Sequence, residues 1–144
     1  MIESILLVDD ENLFHLVFED ACSLLEISLS LRAVDSSDEA AKMFQTWYET
    51  NSKDKPECVF VDLNIVGSSF DGIELIRKIN FEYGNHVVTG IISSSNESDE
   101  VVKAIQAGAQ FWIIKSDNIE PRLEEFKKDY DNYKNRTAPF KIYK

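Results

Sequence analysis

The sequence predicts a doubly wound α/β domain, in which helices cover both faces of a parallel sheet. Two kinds of segment predict it. Continuous apolar runs such as Ile5-Leu6-Leu7-Val8 and Cys58-Val59-Phe60-Val61 have the composition of strands buried on both sides. Between such runs lie stretches whose apolar residues recur at helical spacing, so strand and helix alternate, which requires right-handed crossovers. The 144 residues suffice for one domain, because a chain of that size buries about 68–70% of its unfolded surface without help from metals or disulfides.

Taken in order, Ile5 to Val8 is the first strand, and Leu13, Leu16, Val17, Leu24 and Leu25 recur at helical spacing after it. Leu29 and Leu31 alternate with serines, as on an edge strand. Ser36 with Glu39 reads as a capping box opening a helix that carries Ala40, Met43, Phe44 and Trp47. Cys58 to Val61 is the next buried strand, and Asp71 with Glu74 repeats the start signal for a helix lined by Ile73, Ile76 and Ile79. Val87, Val88, Ile91 and Ile92 make a fourth strand, locally weakened by Gly90. A short helix from Ser98 to Ala107 stops at Gly108, a suitable left-handed cap, and Phe111 to Ile114 is the fifth strand. Pro121 suits a first helical turn, and Ile119, Leu123, Phe126, Tyr130 and Tyr133 form a stripe down the last helix.

Composition removes several classes of function. The 26 acidic and 15 basic residues give a formal charge of -11, which repels a phosphate backbone and counts against direct nucleic-acid binding. Residues 1–114 hold 20 acids and 7 bases, whereas residues 115–144 hold 6 acids and 8 bases, so the terminal helix and tail offer a partner a less acidic surface. Apolar runs of four residues and an N-terminus without a basic flank predict neither a membrane span nor a signal peptide. Cys22 and Cys58 form no disulfide framework and read as buried, reduced thiols in a cytoplasmic protein. His15 and His86 stand apart from any cluster that would make them ligands or bases.

Sheets of this kind place their chemistry beyond the carboxyl ends of the strands. Those ends carry Asp9-Asp10, Asp62, Ser93 and Lys115, so one sheet edge receives three carboxylates, a hydroxyl and an ammonium. Crowded carboxylates repel one another unless a hard divalent cation sits among them, and oxygen-only ligands favour Mg²⁺. Lys115 adds a point charge suited to a phosphoryl group, and Ser93 a hydrogen-bond donor. A carboxylate nucleophile beside a metal and two donors makes a phosphoryl acceptor.

With these residues in place the chain resembles the receiver domain of two-component response regulators. The matching stretches are Ile5 to Asp10, Val59 to Leu63, Asp71 to Leu75, and Val102 to Ala109 continuing to Ile114-Lys115. The resemblance implies a flavodoxin-like (βα)5 three-layer sandwich with a five-stranded sheet in the order 2-1-3-4-5. It implies that Asp62 is the phosphoacceptor, receiving its group from the phosphohistidine of a histidine kinase or phosphotransfer domain. Asp9, Asp10, Asp62 and the backbone carbonyl of Asn64 would hold Mg²⁺. Lys115 would pair with Asp62, Ser93 would move toward the phosphoryl group, and Trp112 occupies the aromatic switch position. The output would be altered protein contacts on the face made by the fourth helix, fifth strand and fifth helix, directed at a downstream effector. Such a protein is no enzyme beyond its own phosphoryl transfer and slow self-dephosphorylation. Phosphorylation-dependent dimerisation is left open.

Residues 1–135 are expected to form the receiver domain and residues 136–144 a short frayed tail, with no output domain, which points to a stand-alone regulator or a phosphorelay shuttle. Three departures from the family pattern stand out. Ser116 replaces the cis-proline that usually follows the lysine, leaving the 115–116 bond cis or trans. The loop Leu63 to Phe70 is about two residues longer than is usual in the family, and its Gly67-Ser68-Ser69 predicts mobility. The segment Glu49 to Pro56 reads as an exposed extension. Two rival folds for the same acids fit less well. A haloacid-dehalogenase-type phosphatase wants an acid where Asn64 stands, and a flavodoxin's phosphate loop would be repelled by Asp9-Asp10-Glu11. A receiver used as an interaction module without phosphorylation is the remaining alternative.

Overall fold

Two apolar clusters, one on each face of a parallel sheet, organise the chain. The computed structural model describes residues 2–144 apart from the side chains of Leu29 and Asn85, so the place of Leu29 in the alternating pattern lies outside the described residues. The elements are β1 (Ile2–Val8), α1 (Asn12–Leu24), β2 (Ser28–Val34), α2 (Ser37–Glu49), β3 (Cys58–Asp62), α3 (Gly72–Tyr83), β4 (Val88–Ser93), α4 (Ser98–Ala107), β5 (Phe111–Ile114), α5 (Glu120–Lys134) and β6 (Lys141–Tyr143). A single 3₁₀ turn, Gly84–His86, links α3 to β4.

All described strand pairs are parallel, in the order β2-β1-β3-β4-β5-β6. This confirms the doubly wound architecture and corrects the strand count. The tail expected to fray forms a sixth strand, with Phe111, Trp112 and Ile113 in register with Lys141, Ile142 and Tyr143. Its anchor is Tyr143, only 1% exposed, whose hydroxyl lies 2.8 Å from that of Tyr133 and donates to Asp129 Oδ2 at 2.7 Å. Burying an aromatic ring while satisfying its hydroxyl outweighs the ordering of a three-residue strand.

Strand alternation explains the two layers. Cys58 and Phe60 of β3 face α1 and α5, whereas Val59 and Val61 face α2, α3 and α4. On the first face the rings of Phe18, Phe60, Phe111 and Phe126 meet at centroid distances of 4.5–5.2 Å. The caps read from sequence recur: Ser36 Oγ accepts from the Glu39 N–H, Asp71 Oδ1 from the Glu74 N–H, and Gly108 closes α4 at φ +103°.

The face of α1 is a second correction. Of the five residues whose spacing marked this helix, Val17 and Leu25 pack against the core, but Leu13, Leu16 and Leu24 are 69%, 64% and 65% exposed, while Phe14, Phe18, Ala21 and Cys22 are buried. Both stripes have helical period, and the aromatic one goes inward because two phenylalanines remove more apolar area from water. In the 63–70 loop, Ser68 Oγ accepts from the Ser37 N–H and the Ser69 N–H donates to Asp38, tying it to the start of α2. Cys22 and Cys58 are free and buried, and burial pushes the Cys22 thiol up to about 12.

Gly90 is needed where β4 passes β5, since a Cβ there would lie 2.3 Å from the Phe111 ring. Gly90→Ala is therefore expected to cost about 1–3 kcal/mol by overpacking, read from the urea midpoint. Combining it with Phe111→Leu should show a smaller loss than the two single changes added.

Candidate functional site

The register of the sheet brings the ends of β1, β3, β4 and β5 to one edge. Asp9 and Asp10 follow β1, Asp62 and Ser93 are the last residues of β3 and β4, and Lys115 follows β5. Gly72 permits this packing. A Cβ at Gly72 would stand 2.2 Å from the Asp62 carbonyl oxygen, so glycine alone lets α3 begin against the end of β3.

Ligand atoms of Asp9, Asp10 and Asp62 all lie within 4.8 Å of one another. Asp9 is fully buried; its Oδ1 accepts from the Glu11 N–H at 2.8 Å, and its Oδ2 has the Lys115 ammonium at 2.8 Å and no other partner among the described residues. The same ammonium lies 3.7 Å from Asp62 Oδ2 and 3.6 Å from Glu11 Oε1, and it sits 4.6 Å from the centroid of the Phe14 ring. Asp62 Oδ1 accepts from the Asn64 N–H at 3.3 Å, and Asp10 Oδ2 from the Val66 N–H at 3.1 Å.

One ammonium meets Asp9, Asp62 and Glu11 while Asp10 has none among the described residues, so negative charge is left over. Burial, and then the charge of Asp9, raise the Asp62 carboxyl from 3.8 to about 6, against the opposing pull of Lys115. Burial works against the charge of Lys115, yet its bond to Asp9 and the charges of Asp62, Asp9 and Glu11 win, holding the ammonium above its ordinary value. A raised acid beside a firmly charged base is what a carboxylate cluster shows when it has one positive charge too few. The donor set, all oxygen, fits a hard divalent cation.

Ser93 is 2% exposed, and its Oγ accepts from the Ser95 N–H at 3.3 Å. The Ser95 carbonyl in turn accepts from Trp112 Nε1 at 2.9 Å, and Trp112 is fully buried. The side chains of Ser93 and Trp112 are thus joined through one residue, Ser95. Described peptide bonds are all trans, including that between Lys115 and Ser116, and Ser116 Oγ accepts from Arg122 at 2.7 Å.

Sequence reasoning missed Glu11, Phe14 and Ser95. Glu11 adjoins the Asp9-Asp10 pair and was legible as a charge; Phe14 became visible only with the true face of α1. Ser95 acts through its backbone, which no side-chain pattern displays. His15, taken as solitary, places Nε2 against the Asp9 carbonyl oxygen.

Comparison with known proteins identifies the family. The family model of the response regulator receiver domain matches residues 5–124, and the chain belongs to that family. No curated protein matches it. Among solved structures it is similar to the phosphorylated cyanobacterial phytochrome response regulator RcpA, at 20% identity and TM-score 0.73, covering 96% of this chain and 97% of that one. It is also similar to NtrX from Brucella abortus, at 24% identity and TM-score 0.77, covering 94% of this chain and 29% of NtrX. Chemotaxis response regulator CheY4 of Vibrio cholerae matches at 15% identity and TM-score 0.71, over 89% of this chain and 98% of CheY4. Identities this low speak to the fold alone. No helix among the described residues is long and apolar enough to cross a membrane.

Without divalent cation, the Asp62 carboxyl should titrate near pH 6, followed by carboxyl ¹³C NMR. Its folded value exceeds its unfolded one, so between about pH 4 and 6 the folded state keeps a proton the unfolded chain has released, and stability falls as pH rises through that window. Asp62→Asn removes the repulsion and should stabilise the cation-free protein at neutral pH by about 1–3 kcal/mol, measured by denaturant titration.

Proposed function

We propose that Asp62 accepts a phosphoryl group from a phosphohistidine and that the resulting charge changes the protein contacts of the chain. The observation that carries this reading is the placement of the Lys115 ammonium, 2.8 Å from Asp9 and 3.7 Å from Asp62, at a cluster of three carboxylates. An oxygen of Asp62 attacks phosphorus in line with the leaving imidazole; the P–N bond breaks and its electron pair stays on the ring nitrogen. Asp62 must be ionised for the attack, which its value of about 6 allows at neutral pH. Lys115 neutralises charge on the transferred group, and Ser93, one residue beyond the Asp62–Ile92 register pair, supplies a hydroxyl donor.

Asp9, Asp10, Asp62 and the backbone carbonyl of Asn64 would hold Mg²⁺, which when bound supplies the positive charge the cluster lacks. The donor would be a histidine kinase or phosphotransfer domain. A downstream effector would read the face formed by α4, β5 and α5. Turnover of free substrates forms no part of this reading, since the acyl phosphate forms on the protein itself and is lost by slow hydrolysis.

Incubation with Mg²⁺ and a small phosphodonor, followed by intact mass, should show one phosphoryl adduct on the wild type and none on Asp62→Asn. Chelation of Mg²⁺ and Lys115→Ala should each slow adduct formation at least tenfold. Absence of the adduct while Mg²⁺ still binds would leave the passive interaction module as the better reading; steady release of phosphate from free esters would favour a phosphatase.

A further inference from the structure

The strand β6 lies where the proposed output face would otherwise present the free edge of β5. Its residues divide between the two sides of the sheet. Phe140 and Ile142 pack against the cluster that contains Trp112, Ala104 and Ala107, on the α4 side. Tyr143 enters the aromatic cluster on the α5 side, with its ring 5.9 Å from that of Phe126. Lys141 pairs with Glu125 at 2.6 Å and Asp129 at 3.2 Å, both on α5. The segment is therefore held by a three-residue ladder, one buried ring and contacts to one acidic helix turn.

Its neighbour in the ladder is informative. Ile142 pairs with Trp112, whose indole N–H is bonded to the Ser95 carbonyl, while the Ser95 N–H is bonded to Ser93 Oγ. If Ser93 turns its hydroxyl toward a phosphoryl group on Asp62, the Ser95 bond must be given up or re-aimed. The bond that fixes the Trp112 ring loses its stationary acceptor, directly beside the strand that covers β5. We infer that residues 139–144 are a displaceable latch: bound against β5 when Asp62 is free, and loosened when Asp62 carries a phosphoryl group, which uncovers the β5 edge. The trigger rests on the phosphoacceptor reading above; the latch itself rests on the observed strand.

Linkage makes this testable in both directions, because if the adduct weakens the latch, weakening the latch must strengthen the adduct by the same factor. Hydrogen exchange of the whole chain, with and without Mg²⁺ and beryllofluoride as a stable phosphoryl mimic, should show the Lys141–Tyr143 amides exchanging at least fivefold faster in the adduct. Amides of β1 and β3 should hold their protection and so report an intact fold. Tyr143→Phe keeps the ring but removes the hydroxyl bonds to Asp129 and Tyr133; it should loosen the same amides without beryllofluoride and lower its half-saturating concentration. A chain shortened after Ala138 should show the largest such decrease. Failure of the wild type to form any adduct would overturn the phosphoacceptor reading and the trigger with it. An adduct with unchanged exchange at Lys141–Tyr143, or an unchanged beryllofluoride affinity in the shortened chain, would overturn the latch alone.

Discussion

The buried carboxylate of Asp9 is the constraint from which the rest of this molecule can be reasoned. A charge taken wholly out of water costs several kcal/mol unless a partner meets it with good geometry. Here the partner is Lys115, which follows β5 and is separated from Asp9 by two intervening strands, β3 and β4. For the two to approach within 2.8 Å, the strands must end level with one another, and the ammonium must cross the sheet edge over the face of Phe14. The pair therefore depends on the strand registers and on α1 presenting its aromatic stripe. Asp62 is drawn into the same arrangement at a greater distance, still reachable by the lysine but not fully satisfied by it.

That incomplete satisfaction sets this cluster apart from a structural ion pair. A purely structural cluster would pair each acid and depress its titration. Asp62 moves the other way, so the fold tolerates unfavourable electrostatics at this one edge. Apart from Lys115, the basic residues of segment 115–144 do not relieve it, and four of them are engaged elsewhere: Lys127 donates to the Leu25 carbonyl, Lys134 pairs with Glu57, Lys141 with Glu125 and Asp129, and Arg136 donates to the Val87 carbonyl. Their excess in composition suggested a partner surface; in three dimensions they tie α5 and its extension to the body.

The sheet core and the strand-end residues were legible in the sequence because each is written locally: a run of four apolar residues, followed by the polar residue that ends it. What escaped was decided between elements. On α1 two apolar stripes competed, and only the presence of Phe60 and Phe126 across the cluster shows why Phe18 wins. The segment Lys141-Ile142-Tyr143 carries too few apolar residues to announce a strand, and it becomes one because β5 has an edge to pair with and Tyr133 and Asp129 meet the Tyr143 hydroxyl. The Ser95 link is a backbone matter, and the pinning of the 63–70 loop comes from Asp38 and the α2 N-terminus, distant in the chain.

The sixth strand also bears on how the protein survives at high concentration. Without it, Phe111-Trp112-Ile113-Ile114 would be the terminal strand of the sheet, a run of bulky β-formers with open hydrogen-bonding groups and no charge, the kind of template on which chains stack into aggregates. With β6 in place, the outermost strand is three residues long, follows Pro139 and carries Lys141, all of which discourage further pairing. Any process that lifts this short strand exchanges a protected sheet margin for an adhesive one.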